Sequence, residues 1–277
     1  MIRCAVLGSP IAHSLSPAMH RAAYAELGLA DWRYDAYDIR EAELAGFLRD
    51  AGPELRGLSV TMPLKKVALE LADVADETSR LVGAANTLLL EPRGGRVAAN
   101  TDVPGMVAAF AERGITVADT AVVLGGGATA GSALAALARL GVAGITLVVR
   151  DPARADDVRR IGAELGVRVQ VATFAQAEAV GEHDLCVSTL PGGAADMWAE
   201  HFAAVAPVLF DVAYHPWPTA LAVAALRIGT EVLNGLDLLV HQAGYQVEMM
   251  TGMSPAPLAV MRAAAREELI ERGQGAT

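Results

Sequence analysis

At 277 residues, 53% of them hydrophobic, the chain can bury substantial cores, and its length predicts two domains. A net charge of −10, from 32 acidic and 22 basic side chains, excludes nucleic acid or an anionic membrane surface as the partner of most of its face. The two cysteines, Cys4 and Cys186, sit in apolar runs and are expected as free thiols in a reducing, cytoplasmic setting, and Ile2 to Leu7 reads as a strand rather than a signal peptide.

The first hundred residues alternate strand and helix signals. Arg3–Leu7, Trp32–Ile39 and Leu58–Thr61 read as extended, and Pro17–Leu27, Glu41–Asp50 and Pro63–Leu71 as helical. Ser16-Pro17 has the pattern of an N-cap followed by proline in the first turn, with Gly28 as the stop. Ala84–Leu90 and Arg96–Ala99, joined by Pro92-Arg93-Gly94-Gly95, predict a hairpin, so this domain is expected to be a mixed α/β layer. Val103–Gly114 reads as a connecting helix that Asp102 would cap.

From Ala121 the βα beat is regular. Strands are expected at Ala121–Leu124, Ile145–Val149, Val167–Ala172, Leu185–Thr189, Val208–Val212 and Glu231–Leu233, with helices at Ala130–Leu140 and Ala153–Leu165 stopped by Gly141 and Gly166. Such units build a doubly wound parallel sheet of Rossmann type. Thr120 to Ala138 is uncharged over a membrane-spanning length, but its three consecutive glycines make it strand, turn and helix. Leu236 to Arg272 reads as two helices returning to the first domain. The expected division is 1–103 plus 236–277 for substrate and 104–235 for a dinucleotide.

Gly125, Gly126, Gly127, Ala128, Thr129 and Ala130 fit G-x-G-x-x-A directly after a buried strand and at the opening of a helix. There the backbone must turn tightly and approach a pyrophosphate held at the helix N-terminus. At the end of the next strand, where an acidic residue would bind a ribose hydroxyl, stand Arg150 and, four residues on, Arg154. They suit the 2′-phosphate of NADP(H), against the alternative of a solvated loop, and Asp151 between them opposes that preference.

Lys65 and Lys66 fall at the positive end of the helix predicted after Pro63, where a cation costs roughly 0.3–1 kcal/mol. Either they are merely exposed, or chemistry calls for them. Hydride transfer from an alcohol leaves a proton to remove, and Lys65 with Asp102 would supply a general acid–base pair. Ser14 and Ser16 are candidates for a carboxylate, with capping as the plainer role for Ser16. Gln242 and Gln246 share a helical flank, either for hydroxyls or for solvent. The six histidines, His13, His20, His183, His201, His215 and His241, lack ligand spacing, so no metal is expected.

These motifs occur together, and in this order the chain resembles the shikimate dehydrogenase family over essentially its whole length. The resemblance rests on Gly8–His20, Ser59-Val60-Thr61-Met62-Pro63-Leu64-Lys65, Gly83-Ala84-Ala85-Asn86-Thr87, Asn100-Thr101-Asp102, the glycine-rich turn, Asp211-Val212-Ala213-Tyr214-His215-Pro216 and Gly235 to Ala243. It implies reversible NADPH-dependent reduction of 3-dehydroshikimate to shikimate, on the route to chorismate and the aromatic amino acids. It also implies two domains enclosing a cleft.

By position the resemblance makes Ser14 and Ser16 carboxylate ligands and Lys65 and Asp102 the catalytic pair. Thr61, Asn86 and Gln242 become hydroxyl or carboxylate contacts, with Tyr214 on the substrate side near the nicotinamide. Arg150 and Arg154 form the 2′-phosphate clamp, and Thr189 and Gly235 approach the nicotinamide half. Departures from the family pattern are Arg21 and Ser59 in place of asparagine, Leu238 in place of methionine, and Val149 and Asp151 around Arg150. The rivals are an NAD-dependent quinate/shikimate or aminoshikimate dehydrogenase and, more remotely, a non-catalytic nucleotide-binding regulator. The protein is expected to be a monomer or homodimer acting on a small molecule.

Overall fold

The computed structural model describes residues 1–92 and 94–273. Two compact units emerge from the packing. One is formed by the described residues of 1–101 and 240–273, the other by 102–239. The chain therefore crosses between them at 101/102 and 239/240, a few residues from the borders expected from sequence.

In the first unit the order is β1 (Ile2–Gly8), α1 (Ser16–Glu26), β2 (Trp32–Asp38), α2 (Glu41–Arg49), β3 (Leu55–Val60), α3 (Lys65–Glu70), β4 (Val74–Ala75), α4 (Glu77–Val82), β5 (Thr87–Leu90) and β6 (Arg96–Ala99). The strands form one sheet in the order β2-β1-β3-β5-β6-β4. β1 runs parallel to β2 and β3, whereas β5 is antiparallel to both β3 and β6, so the sheet is mixed. Its edge strand β2 is largely half-buried or exposed, with only Tyr34 fully buried, while β1 is buried along most of its length. Ala5, Leu7, Leu58, Val60, Leu64 and Leu88 lie in one core on this sheet.

The second unit begins with α5 (Asp102–Glu112) and continues with β7 (Thr120–Leu124), α6 (Ala128–Arg139), β8 (Gly144–Val149), α7 (Asp156–Leu165), β9 (Arg168–Thr173), β10 (Leu185–Ser188), α8 (Ala199–Ala204), β11 (Val208–Asp211), α9 (Ala220–Arg227) and β12 (Glu231–Asn234). Its six strands are ordered β12-β11-β10-β7-β8-β9, and every pairing is parallel. β7 and β10 are apolar because both faces are covered. α6 is rich in alanine and buried from Ala130 to Leu137, since small side chains let a helix lie close on a sheet. α10 (Gly235–Thr251) carries the chain back, and α11 (Leu258–Glu271) packs on α1 in the first unit.

Several local expectations need correction. Ser16 does not cap α1: it is the first helical residue, Leu15 occupies the cap, and the Ser14 hydroxyl accepts the Ser16 N–H. Pro63 lies in the turn before α3, which starts at Lys65. Asp102 stands inside the first turn of α5 rather than ahead of it. The helix expected from Ala153 is divided into a 3-10 turn, Pro152–Ala155, and α7, because the Asp151 carboxylate accepts the Ala153 N–H at 3.0 Å and tightens the entry. β5 begins at Thr87 rather than Ala84. Arg93 of the expected hairpin turn, and positions 274–277 of the expected substrate domain, lie outside the described residues.

Candidate active site

In the first unit, the loop leaving β1 turns at Gly8, where a Cβ would lie 2.4 Å from Thr61 Cγ2 and 2.9 Å from the Met62 carbonyl oxygen. Only glycine allows the serine loop to lie this close to the turn after β3. The Ser14 hydroxyl accepts the Ser16 N–H at 3.3 Å, and Arg272, just past α11, donates to the carbonyls of Ala12 and Ser14 at 3.2 Å each. Ser16 is buried, and its carbonyl lies 2.9 Å from His20 Nδ1. A carbonyl cannot donate, so Nδ1 carries the hydrogen. Burial pushes His20 down to about 4, against the opposing bond to Ser16, and the ring stacks neutral on Tyr34 at 4.0 Å.

Thr61 donates its N–H to Leu7 and accepts from Leu64, a tight turn that presents Lys65 half-buried at the start of α3. The Lys65 carbonyl accepts the Ala85 N–H at 2.9 Å, tying this turn to the segment ahead of Asn86. Asn86, Thr101 and Gln242 are buried together. The Thr101 backbone N–H donates to Asn86 Oδ1 at 2.8 Å, which fixes the carboxamide: the other end is its NH2 group, 2.9 Å from Thr101 Oγ1 and 3.2 Å from Gln242 Oε1. Two oriented carboxamides side by side, one on β5's approach and one on α10, are suited to a polyhydroxylated ligand.

Within the second unit, Asp102 is buried at the start of α5. Tyr214 is half-buried on the loop after β11. That loop is held by Asp211, whose carboxylate accepts the Thr219 hydroxyl at 2.6 Å and the Ala213 N–H at 3.3 Å, and burial raises its pKa. Gly235 packs on the same loop so closely that a Cβ would fall 2.1 Å from the Val212 carbonyl oxygen.

The glycine-rich turn is built in the same unit. Gly125 takes φ +105° and would, with a Cβ, meet Thr189 Oγ1 at 2.6 Å; the Thr189 hydroxyl donates to Leu124 O at 2.9 Å. A Cβ on Gly126 would lie 2.4 Å from the Arg154 carbonyl oxygen, whereas one on Gly127, ahead of α6, would meet nothing within 4 Å. The backbone before Ala128, Thr129 and Ala130 is thus bare where a pyrophosphate needs to approach N–H groups at a helix N-terminus. Arg150 and Arg154 are exposed beside this turn, and Asp151 directs its carboxylate to the Ala153 N–H. These residues fit a dinucleotide carrying an extra phosphate.

Residues 6–88 match the family model described as the shikimate dehydrogenase substrate binding domain, and residues 235–266 match that of the shikimate 5′-dehydrogenase C-terminal domain. The chain is 35% identical over 273 residues to shikimate dehydrogenase (NADP(+)) of Thermus thermophilus, covering 96% of this chain and 98% of the relative. The chain belongs to the shikimate dehydrogenase family. Its backbone is also similar to the crystal structure of Mycobacterium tuberculosis shikimate dehydrogenase, with TM-score 0.87, 43% identity, and coverage of 96% and 99%. The Thermus thermophilus shikimate 5-dehydrogenase crystallised with NADP(H) and shikimate matches at TM-score 0.81 and 30% identity, covering 96% and 99%. In this family member no helix among the described residues is long and apolar enough to cross a membrane, and no group of three potential metal ligands occurs among them.

Of the buried side chains linked to Asn86, Tyr34 carries no signal in the sequence, while Ser59 and Thr87 stand in family motifs with no role given to either. Arg272 carries no signal either. Gln246, read with Gln242 as available to hydroxyls or solvated, is 1% exposed and engaged by Ser59, Thr87 and the Asn86 carbonyl, so it is not solvated.

Proposed function

We propose that this protein catalyses the reversible NADPH-dependent reduction of 3-dehydroshikimate to shikimate, a step of aromatic amino acid biosynthesis. The observation that carries the reading is the buried Asn86–Thr101–Gln242 cluster, with two oriented carboxamides, in a chain that aligns over 96% of its length with a shikimate dehydrogenase (NADP(+)). Residues 1–103 with 236–277 serve the substrate, and 104–235 serve the dinucleotide.

Ser14 and Ser16 hold the carboxylate on a loop secured by Arg272. Thr61, Asn86 and Gln242 contact the ring hydroxyls or the carboxylate, and Tyr214 contributes from its Asp211-braced loop. NADPH, when bound, supplies the hydride. Lys65 donates the proton that the new hydroxyl requires and removes it in the reverse direction, while Asp102 hydrogen-bonds that hydroxyl, a contribution of about 10²–10⁴-fold. Gly125 to Ala130 approach the pyrophosphate, Arg150 and Arg154 take the 2′-phosphate, and Thr189 and Gly235 border the nicotinamide half. Two free, buried thiols, Cys4 and Cys186, suit a reducing cytoplasm, where we place the reaction.

The test is oxidation of shikimate and of quinate, each with NADP and with NAD, compared by kcat/KM. The highest value is expected for shikimate with NADP; preference for quinate or NAD would move the protein to the other branch of the family. Lys65→Ala is expected to abolish turnover with little change in shikimate binding, and wild-type turnover in that variant would remove lysine from the mechanism.

A further inference from the structure

Backbone groups fix the direction of a buried hydrogen-bond chain that ends at Asn86. Gln246 lies 2.9 Å from the Asn86 carbonyl oxygen, which can only accept, so the group facing it is the NH2 of Gln246. The same NH2 donates to Thr87 Oγ1 at 2.9 Å, and Thr87 passes its own hydrogen to Asn86 Oδ1 at 3.0 Å. At its other end, Gln246 Oε1 accepts from the Ser59 hydroxyl at 2.7 Å, and Ser59 in turn accepts from the Tyr34 hydroxyl at 2.6 Å. Every donor from Tyr34 to Asn86 therefore points the same way, in a region where each member is 4% exposed or less.

The consequence falls on the Asn86 carboxamide. Its oxygen is engaged by Thr101 N–H and the Thr87 hydroxyl, which turns the NH2 end to Thr101 Oγ1 and Gln242 Oε1. Gln246 reaches across from α10 to bind both the backbone and, through Thr87, the side chain of Asn86. We propose that Gln246 is a positioning residue for substrate binding, acting through Asn86, with Ser59 orienting the Gln246 carboxamide. The inference rests on Asn86 being a substrate contact, as proposed above. A buried, fully satisfied polar network of this kind specifies one geometry, because any member that rotates leaves a donor or acceptor unpaired.

The test is a double-mutant cycle on steady-state kinetics. Gln246→Met keeps the volume and removes the carboxamide; the Asn86 carbonyl still accepts from the Val60 N–H, so the fold has a remaining bond there. The expected result is a rise in shikimate KM of about tenfold with NADP KM unchanged and kcat within about threefold. In the Asn86→Ala background the same substitution is expected to leave shikimate KM unaltered, which a merely structural role would not produce. Should Gln246→Met not fold, Ser59→Ala enters the same cycle, with an expected KM increase of about threefold that vanishes beside Asn86→Ala. Wild-type KM in the Gln246 variant, or additive effects, would overturn the positioning role while an Asn86→Ala defect left the substrate assignment standing. Wild-type KM in Asn86→Ala itself would overturn both.

Discussion

Gly126 and Arg154 meet backbone to backbone: the space where a Gly126 Cβ would go lies 2.4 Å from the Arg154 carbonyl oxygen. The second glycine of the glycine-rich turn and the arginine proposed for the 2′-phosphate thus form one packed unit. Gly126→Ala must push the Arg154 segment away, and a backbone carbonyl has no side-chain freedom with which to yield. The expected outcome is an NADP KM raised by more than about tenfold and a lower melting temperature. Gly127→Ala is the comparison, since its Cβ meets nothing and its φ of −91° suits any residue. Gly127→Ala should melt like the wild type, so that any rise in its NADP KM reports the approach of the cofactor alone.

Asp151 follows Arg150 directly, yet its carboxylate is committed to the Ala153 N–H. A capping role explains an acidic residue that would otherwise repel a phosphate. Arg150→Ala is expected to raise the NADP KM about tenfold or more while leaving the NAD KM within about twofold, because only NADP carries the lost charge partner. Asp151→Asn keeps a capping oxygen and removes the charge, so NADP KM should fall slightly with no change in melting; Asp151→Ala should cost about 0.5 kcal/mol of stability, measured by urea unfolding.

The elements that positioned this turn were legible because parallel strands covered on both faces read as unbroken apolar runs, as in Ala121 to Leu124. Short elements were not. β4 has two residues, too few for any period, and α4 has six, although Asp76 accepting the Ser79 N–H at 2.6 Å and Gly83 at φ +73° mark its two ends. The chemistry-bearing motifs were legible as types and spacings. What no spacing could carry was the direction of the hydrogen bonds around Asn86, since Ser59 and Gln246 are 187 positions apart and become partners only when α10 returns to the first sheet.

Arg272 forms a second long-range tie, from just past α11 to the loop of Ser14 and Ser16. Its guanidinium donates to Ala12 and Ser14 carbonyls and is itself steadied by Glu268 at 2.8 Å. Arg272→Ala removes both carbonyl bonds without touching either serine. The expected effect is a severalfold rise in shikimate KM, corresponding to about 1 kcal/mol, with NADP KM unchanged. Isothermal titration with shikimate gives an independent measure, and unchanged affinity would show that the serine loop holds its shape without the arginine.

His20 gives the first unit a defined acid sensitivity. Its ring is fully buried, donates from Nδ1 to Ser16, and has no hydrogen-bond partner at Nε2 among the described residues, so the core has nothing to receive a second ring proton. Burial lowers its pKa from 6.5 to about 4. Between those values the unfolded chain binds a proton that the folded chain refuses, so unfolding free energy rises with pH across this window and is lost as the pH falls through it. From pH 7.5 to pH 5 the loss attributable to this group is about 2 kcal/mol. His20→Asn retains a donor for the Ser16 carbonyl and has no ionisable ring. Urea unfolding at both pH values should find the wild type losing about 2 kcal/mol more than the variant; equal losses would mean that His20 protonates within the folded protein.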